Sequence, residues 1–71
     1  MKPTREEVLA AEEEISLEYP NLVATEPDDG FLIVYADSEQ AFGDLRQRNP
    51  YNGKVPLVFR ILPGLQPVQT R

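Results

Sequence analysis

The sequence contains neither cysteine nor histidine among its 71 residues. Without cysteine there can be no disulfide crosslinks, and without either residue the commonest ligands of zinc and other transition metals are missing. The same two residue types supply most nucleophiles and general bases in enzymes. We therefore expect a protein that is not an enzyme, binds no cofactor, and is stabilised by its core or by a partner.

Long apolar runs are also missing. No stretch approaches the roughly 20 apolar residues that a membrane-spanning helix needs, and the first three residues lead directly into charged sequence. We therefore expect a soluble cytoplasmic protein with no membrane partner. A chain of 71 residues has room for one domain. The sequence predicts a single α+β domain over residues 1–62 and a C-terminal tail over residues 63–71.

The two halves of the chain differ strongly in charge. Residues 1–44 hold all twelve acids and two bases, a net charge of −10, whereas residues 45–71 hold five bases and no acid. We expect the halves to neutralise each other in the fold, and the alternative is an acidic surface that meets a basic partner. The candidate acidic face consists of Glu6, Glu13, Glu14 and Glu18, and the candidate basic patch consists of Arg46, Arg48, Lys54 and Arg60.

Three further features of the sequence are candidate sites. The basic patch lies near Tyr51 and Phe59 in sequence, a combination typical of nucleic-acid binding. The overall charge of −5 repels phosphate, so we do not expect nucleic acid as a partner. The acidic turn at residues 26–29 matches no calcium loop. Glu12, at the edge of an apolar stripe, is either a perturbed acid or a rim residue.

A helix is predicted from a capping box near the start of the chain. Thr4 and Glu7 have the spacing at which each side chain accepts a hydrogen bond from the other residue's backbone N–H. Val8, Ala11 and Ile15 then recur at helical spacing and form an apolar stripe. Pro20 disfavours helical geometry in the residue before it, so we expect the helix to end there or one residue earlier.

The central strand is predicted at Phe31–Ala36, six uncharged residues bounded by turn formers. Residues 21–26 form a second strand candidate, which the turn at residues 27–30 joins to the first as an antiparallel hairpin. A short second helix is expected from residue 37 or 38 to the Asn49-Pro50 stop, with Ala41, Phe42 and Leu45 on its apolar face. A third strand is expected over residues 55–62.

The predicted order is helix, strand, strand, helix, strand. A strand–helix–strand connection is parallel and right-handed, so both helices should cover one face of a three-stranded sheet. We expect the strand order one–two–three, with order three–one–two as the alternative. Because both faces of Phe31–Ala36 are apolar, this strand needs cover on both sides and is placed at the centre of the sheet.

We expect Phe31, Ile33 and Tyr35 to lie on the face that the helices cover. That choice leaves an apolar surface open to a protein partner or to a second copy in a twofold dimer. Alternatively, the tail covers this surface with Leu65 and Val68. The candidate interface consists of Leu32, Val34, Val58 and Leu62.

The sequence thus predicts a small acidic, non-catalytic protein-binding or regulatory module that acts through an apolar sheet face with a charged rim. The alternative is an acidic inhibitor of the kind that phages encode against nucleases or defence systems. Its Glu-rich helix would occupy a basic nucleic-acid-binding groove by imitating phosphate. An apolar contact survives high salt, whereas a contact between exposed charges is screened.

Overall fold

A computed structural model describes residues 2–62 of the chain, which form one α-helix, a three-stranded mixed sheet and two 3-10 helices. Within these residues, no helix combines the length and apolarity needed to cross a membrane. The fold is therefore of the α+β class, as predicted. The elements in chain order are α1 (Arg5–Glu18), β1 (Ala24–Asp28), β2 (Phe31–Ala36), the first 3-10 helix (Glu39–Phe42), the second 3-10 helix (Leu45–Arg48) and β3 (Leu57–Ile61).

The predicted capping box begins α1. The Glu7 backbone N–H donates to Thr4 Oγ1 at 3.1 Å, and the Thr4 backbone N–H donates to Glu7 Oε1 at 2.9 Å. The helix ends at Glu18, two residues before Pro20, as the proline requires. The apolar stripe predicted from the sequence lies in the core, with Val8, Ala11 and Ile15 buried.

The sheet has the predicted order β1-β2-β3, with β1 antiparallel and β3 parallel to β2. The hairpin between β1 and β2 is confirmed, but its turn takes only Asp29 and Gly30, and Gly30 has a φ of 88°. Strand β1 therefore starts later than predicted and continues through Pro27 and Asp28. The prediction of a strand over residues 21–26 followed by a four-residue turn is therefore wrong.

Two 3-10 helices replace the predicted second α-helix. Gly43 separates them with a φ of 58°, a left-handed conformation that stops a right-handed helix. Ser38 also makes no side-chain capping bond. Phe42 and Leu45 nevertheless belong to the same buried cluster as the apolar residues of α1, so this segment and α1 cover one face of the sheet.

The two faces of β2 are reversed relative to the prediction. Leu32 and Val34 are fully buried in the core beneath α1, so their assignment to an exposed interface is wrong. Phe31, Ile33 and Tyr35 lie half-buried on the opposite face.

The acids of β1 explain the reversal. The hairpin pairs Asp28 with Phe31 and Glu26 with Ile33, so these acids share a sheet face with Phe31 and Ile33. Those carboxylates are exposed to water, and burying an unpaired carboxylate is costly. The helices therefore cover the other face, which carries Leu32.

The faces of β3 agree with the prediction. The parallel register places Leu57 beside Leu32 and Phe59 beside Val34, on the side of the helices. Val58 lies beside Ile33 on the opposite side. The buried cluster consists of Val8, Ala11, Ile15, Leu32, Val34, Ala36, Phe42, Leu45, Tyr51, Val55 and Leu57.

Candidate protein-binding face

The sheet face opposite α1 is the candidate functional surface, and we call it the open face. Strands β2 and β3 supply its apolar centre, and β1 and β3 supply charged residues at its two edges. Its apolar residues are Phe31, Ile33, Tyr35 and Val58, and its charged residues are Glu26, Asp28 and Arg60.

The apolar centre of the open face is partly exposed to solvent. Phe31, Ile33, Tyr35 and Val58 are all intermediate in burial, although the first three lie on the central strand of the sheet. Leu62 continues the alternation of β3 onto the same face, because its backbone N–H donates to Ala36 at 2.8 Å, and it is 40% exposed. These side chains form an apolar strip on one face of the sheet, of the kind that marks interaction surfaces.

One hydrogen bond joins the apolar centre to the acidic edge. The Tyr35 hydroxyl donates to Glu26 Oε1 at 2.7 Å. This bond to a carboxylate, together with burial, raises the pKa of Tyr35 above its ordinary value. The ring contributes apolar area while its hydroxyl is satisfied by the rim, an arrangement common in protein interfaces.

The rim of the open face separates the two signs of charge. Glu26 and Asp28 lie on β1, and Arg60 lies across the sheet on β3. Within residues 2–62, no carboxylate forms an ion pair with Arg60. At the end of the hairpin, Asp29 pairs with Lys2 at 2.7 Å.

On the other side of the molecule, acids of α1 meet residues 48–54. Lys54 Nζ lies 3.4 Å from Glu7, and Arg48 lies 2.8 Å from Glu18. Between these pairs, the Tyr51 hydroxyl donates to Glu14 at 3.3 Å. The backbone N–H of the helix cap and the Lys54 ammonium lower the pKa of Glu7. The fold therefore brings acids of the first half of the chain against polar residues of the second half.

Arg48 occupies the centre of this contact. Its guanidinium carbon lies 4.8 Å from the Tyr51 ring centroid and 5.9 Å from that of Tyr19, and its Nη1 donates to the Tyr19 hydroxyl at 2.9 Å. The bonds to Tyr19 and Glu18 raise the pKa of Arg48. Burial raises the pKa values of Tyr19 and Tyr51.

The predicted basic patch does not form one surface. Arg46 lies over the ring of Phe59, 4.6 Å from its centroid, and pairs with Glu39. Arg46, Arg48 and Lys54 thus contact the helix side of the molecule, whereas Arg60 lies on the open face. The rings of Tyr51 and Phe59 are covered by arginines rather than free to stack on bases.

The acidic face of α1 is divided in a similar way. Glu14 and Glu18 contact residues 48–54, whereas Glu6 and Glu13 are exposed on the helix surface. Glu12, the acid at the edge of the apolar stripe, is half-buried and accepts a 2.7 Å hydrogen bond from the Thr25 hydroxyl. It acts as a bridge between α1 and β1.

Residues 2–62 hold no group of three acids placed to bind a metal ion. The acids of the hairpin have separate roles: Asp28 accepts from the backbone N–H of Asp29, and Glu26 accepts from Tyr35. A cleft of about 160 Å³ lies between α1 and the loop near Lys54. The volume of this cleft is below the roughly 300 Å³ at which small-molecule pockets begin. A more open depression of about 350 Å³ lies between Asn21 and Ser38.

Of the four predicted interface residues, the structure places Val58 and Leu62 on the open face and Leu32 and Val34 in the core. Sequence reasoning missed Phe31, Ile33 and Tyr35. The alternation of acids at positions 26 and 28 could have identified them, because a two-residue turn pairs position 28 with position 31. The suggested cover by Leu65 and Val68 lies outside the described residues. Comparison with protein-family models, curated proteins and solved structures finds no match.

Proposed function

We propose that this protein is a non-catalytic binding module that engages a partner protein through the open face. The observation that carries this proposal is the apolar strip through Ile33 and Val58, which no helix of residues 2–62 covers. A small domain gains stability when such a surface is buried by another polypeptide.

The charged rim specifies the chemistry of the partner. A complementary surface carries an apolar centre that packs on Ile33. It also carries a base opposite Glu26 and an acid opposite Arg60, since complementary potentials fix orientation and exclude wrong partners. The apolar centre supplies most of the affinity, because contacts between exposed charges contribute little.

The phosphate-mimic alternative has less support. Glu7, Glu14 and Glu18 are engaged with residues 48–54, which leaves Glu6 and Glu13 as the exposed acids of α1 outside that contact. Two carboxylates seven residues apart offer a short imitation of a phosphate backbone. The open face instead offers apolar side chains on two neighbouring strands, β2 and β3.

The test compares two lysine variants that differ in position. Ile33→Lys places a charge in the centre of the open face, and Leu17→Lys places one on α1, where Leu17 is 78% exposed. A partner is crosslinked and purified with the wild-type chain from the source cell, and its affinity for each variant is then measured. We expect Ile33→Lys to weaken binding at least about tenfold and Leu17→Lys to leave it unchanged.

Salt dependence adds a second criterion. Binding through the open face should persist at about 1 M salt, where charges are screened beyond about 3 Å. Equal affinity of the wild type and Ile33→Lys would contradict the proposal. Affinity that collapses with salt and depends on Glu13 would favour the acidic-helix alternative.

A further inference from the structure

The outer edge of β3 carries unpaired backbone groups. At one end of the strand Leu32 N–H donates to the Pro56 carbonyl at 3.0 Å, and at the other Leu62 N–H donates to the Ala36 carbonyl at 2.8 Å. In a parallel ladder alternate residues face the neighbouring strand. Even-numbered residues of this segment therefore bond to β2, and Leu57, Phe59 and Ile61 direct their N–H and C=O groups outward.

At the start of this edge, the Asn49 side chain already binds the outward backbone groups of Leu57. Leu57 N–H donates to Asn49 Oδ1 at 2.9 Å, and Asn49 Nδ2 donates to the Leu57 carbonyl at 3.2 Å. Within residues 2–62, no hydrogen bond reaches the outward groups of Phe59 and Ile61. Two donors and two acceptors are left, and Ile61 is 44% exposed.

The other edge of the sheet is protected. Pro27 lies within β1 and has no N–H to donate. In a hairpin with a two-residue turn, Asp28 and Phe31 form a hydrogen-bonded pair, so Pro27 faces the outer edge. Proline at this position blocks the addition of another strand. Strand β3 is therefore the edge that can accept one.

We propose that a second copy of this chain pairs with β3 in antiparallel orientation, with the twofold axis at Arg60. In this register Phe59 lies opposite Ile61 of the second copy, and the symmetry repeats the pair. Each pair exchanges two N–H···O=C bonds, so all four outward groups of each copy are satisfied. The two sheets join into one of six strands.

The unpaired N–H and C=O groups of Phe59 and Ile61 determine the register of the pairing between the two copies. Centring the pairing on Phe59 places Ile61 opposite Leu57, whose backbone groups Asn49 already occupies. Centring it on Ile61 places Phe59 opposite Pro63, which has no N–H to donate. Only the register centred on Arg60 satisfies every free donor and acceptor.

The side chains support the same arrangement. On the open face, Val58 lies opposite Leu62 of the second copy, and both are apolar. On the helix side, Phe59 lies opposite Ile61. The exposed surfaces of Ile61 and Leu62 are buried against apolar neighbours, and the open faces of the two copies become continuous across the axis.

Arg60 gives the proposed dimer a characteristic dependence on salt. The two copies of this residue lie directly opposite each other at the axis, where like charges destabilise the pairing. Both side chains are long and reach solvent, so the repulsion weakens the dimer without preventing it. Salt screens this repulsion, and the dimer therefore strengthens as salt is added, the reverse of an association held by opposite charges.

The first experiment uses sedimentation equilibrium and amide hydrogen exchange on the full chain from about 10 μM to 1 mM. We expect a monomer–dimer equilibrium, with the amides of Phe59 and Ile61 becoming protected as concentration rises. A monomer throughout this range would overturn the proposal. Protection that is independent of concentration would also overturn it, because the tail or another segment of the same chain would then occupy the edge.

A matched pair of variants tests the edge itself. Ile61→Pro removes an outward N–H and no bond to β2, whereas Ile61→Thr retains the N–H and also shortens the apolar side chain. We expect the proline variant to remain folded and become monomeric, and the threonine variant to dimerise. Loss of the dimer in both variants, or in neither, would contradict strand pairing at Ile61.

A charge exchange tests the register. Wild-type chain and Arg60→Glu, mixed in equal amounts at low salt, should form the mixed dimer about two- to fivefold more tightly than either forms its own, since an opposite-charge pair replaces a like-charge pair. A statistical mixture would overturn the register centred on Arg60. This proposal does not depend on the proposed function, because Ile33→Lys tests partner binding and leaves the β3 edge unchanged.

Discussion

The Tyr35 hydroxyl donates a 2.7 Å hydrogen bond to Glu26 across two strands, on the face of the sheet opposite the helix. The bond ties the only tyrosine of β2 to an acid that must stay in water. Because residues alternate along a strand, it also fixes Leu32 and Val34 on the helix side. The Tyr35–Glu26 hydrogen bond can therefore form only when Leu32 and Val34 face the core.

Replacing Glu26 with glutamine should lower the pKa of Tyr35 toward its ordinary value. The carboxylate at present disfavours ionisation of the hydroxyl that donates to it. Ultraviolet absorption as a function of pH measures the change, and a Tyr35→Phe variant identifies the transition that belongs to this residue. Asp28→Asn serves as a control and should leave that transition in place.

Leu32→Ala should destabilise the protein much more than Ile33→Ala. Leu32 is fully buried, and truncation of such a side chain costs about 2–5 kcal/mol. Ile33 is half-buried on the open face, so its truncation should cost below about 2 kcal/mol. Chemical denaturation of both variants measures the difference, and equal losses would contradict the assigned faces of β2.

The free energy of unfolding should be flat between about pH 6 and 8, because the chain has no histidine to titrate there. The lowered pKa of Glu7 means that its contribution is present above its ordinary value of 4.5 and is lost as pH falls through the folded value.

At alkaline pH the free energy of unfolding changes in the opposite direction and falls as pH rises. Tyr19, Tyr35 and Tyr51 have raised pKa values, so their contributions are complete below the ordinary value of 10.0 and are lost as pH rises through the folded values. Thermal unfolding across the full pH range measures both limits. A transition between pH 6 and 7 would contradict this account.

Arg48→Met should lower the free energy of unfolding more than Lys2→Met does, because Arg48 donates charged hydrogen bonds and stacks on aromatic rings. Lys2→Met should change stability by less than about 0.5 kcal/mol. The Arg48 side chain is 34% exposed, whereas the Lys2 side chain in the pair with Asp29 is 64% exposed. Chemical denaturation of both variants at low and high salt measures the two losses of stability. Equal losses would contradict a special role for Arg48.

The elements of the fold were largely predictable because their signals are local. The capping box at Thr4 and Glu7 depends on four consecutive residues, and the strand at Phe31–Ala36 is an uninterrupted apolar run between turn formers. The strand order followed from the preference for short, right-handed connections. The 3-10 geometry was missed because it depends on the left-handed conformation of Gly43, which a sequence permits but does not require.

The candidate site was harder to predict because β2 is apolar on both faces. The assignment of its faces depends on which residues of β1 lie opposite them. Turns of two or four residues at residues 27–30 both place Glu26 on the face of Phe31 and Ile33, and this exposed acid marks the face that the helices leave open. Val58 was placed correctly since Leu57 and Phe59, its neighbours in the chain, pack on the helix side with Leu32 and Val34.

The connection between β2 and β3 has a consequence for the order of folding. The hairpin of β1 and β2 closes through two residues, whereas β3 joins β2 only after the intervening residues 37–56 have been looped back. Closing the longer loop costs more entropy before any contact is gained. We therefore expect the hairpin and α1 to assemble first and the docking of β3 onto β2 to be the rate-limiting step. Val58→Ala should then slow folding more than it accelerates unfolding, as stopped-flow kinetics would show.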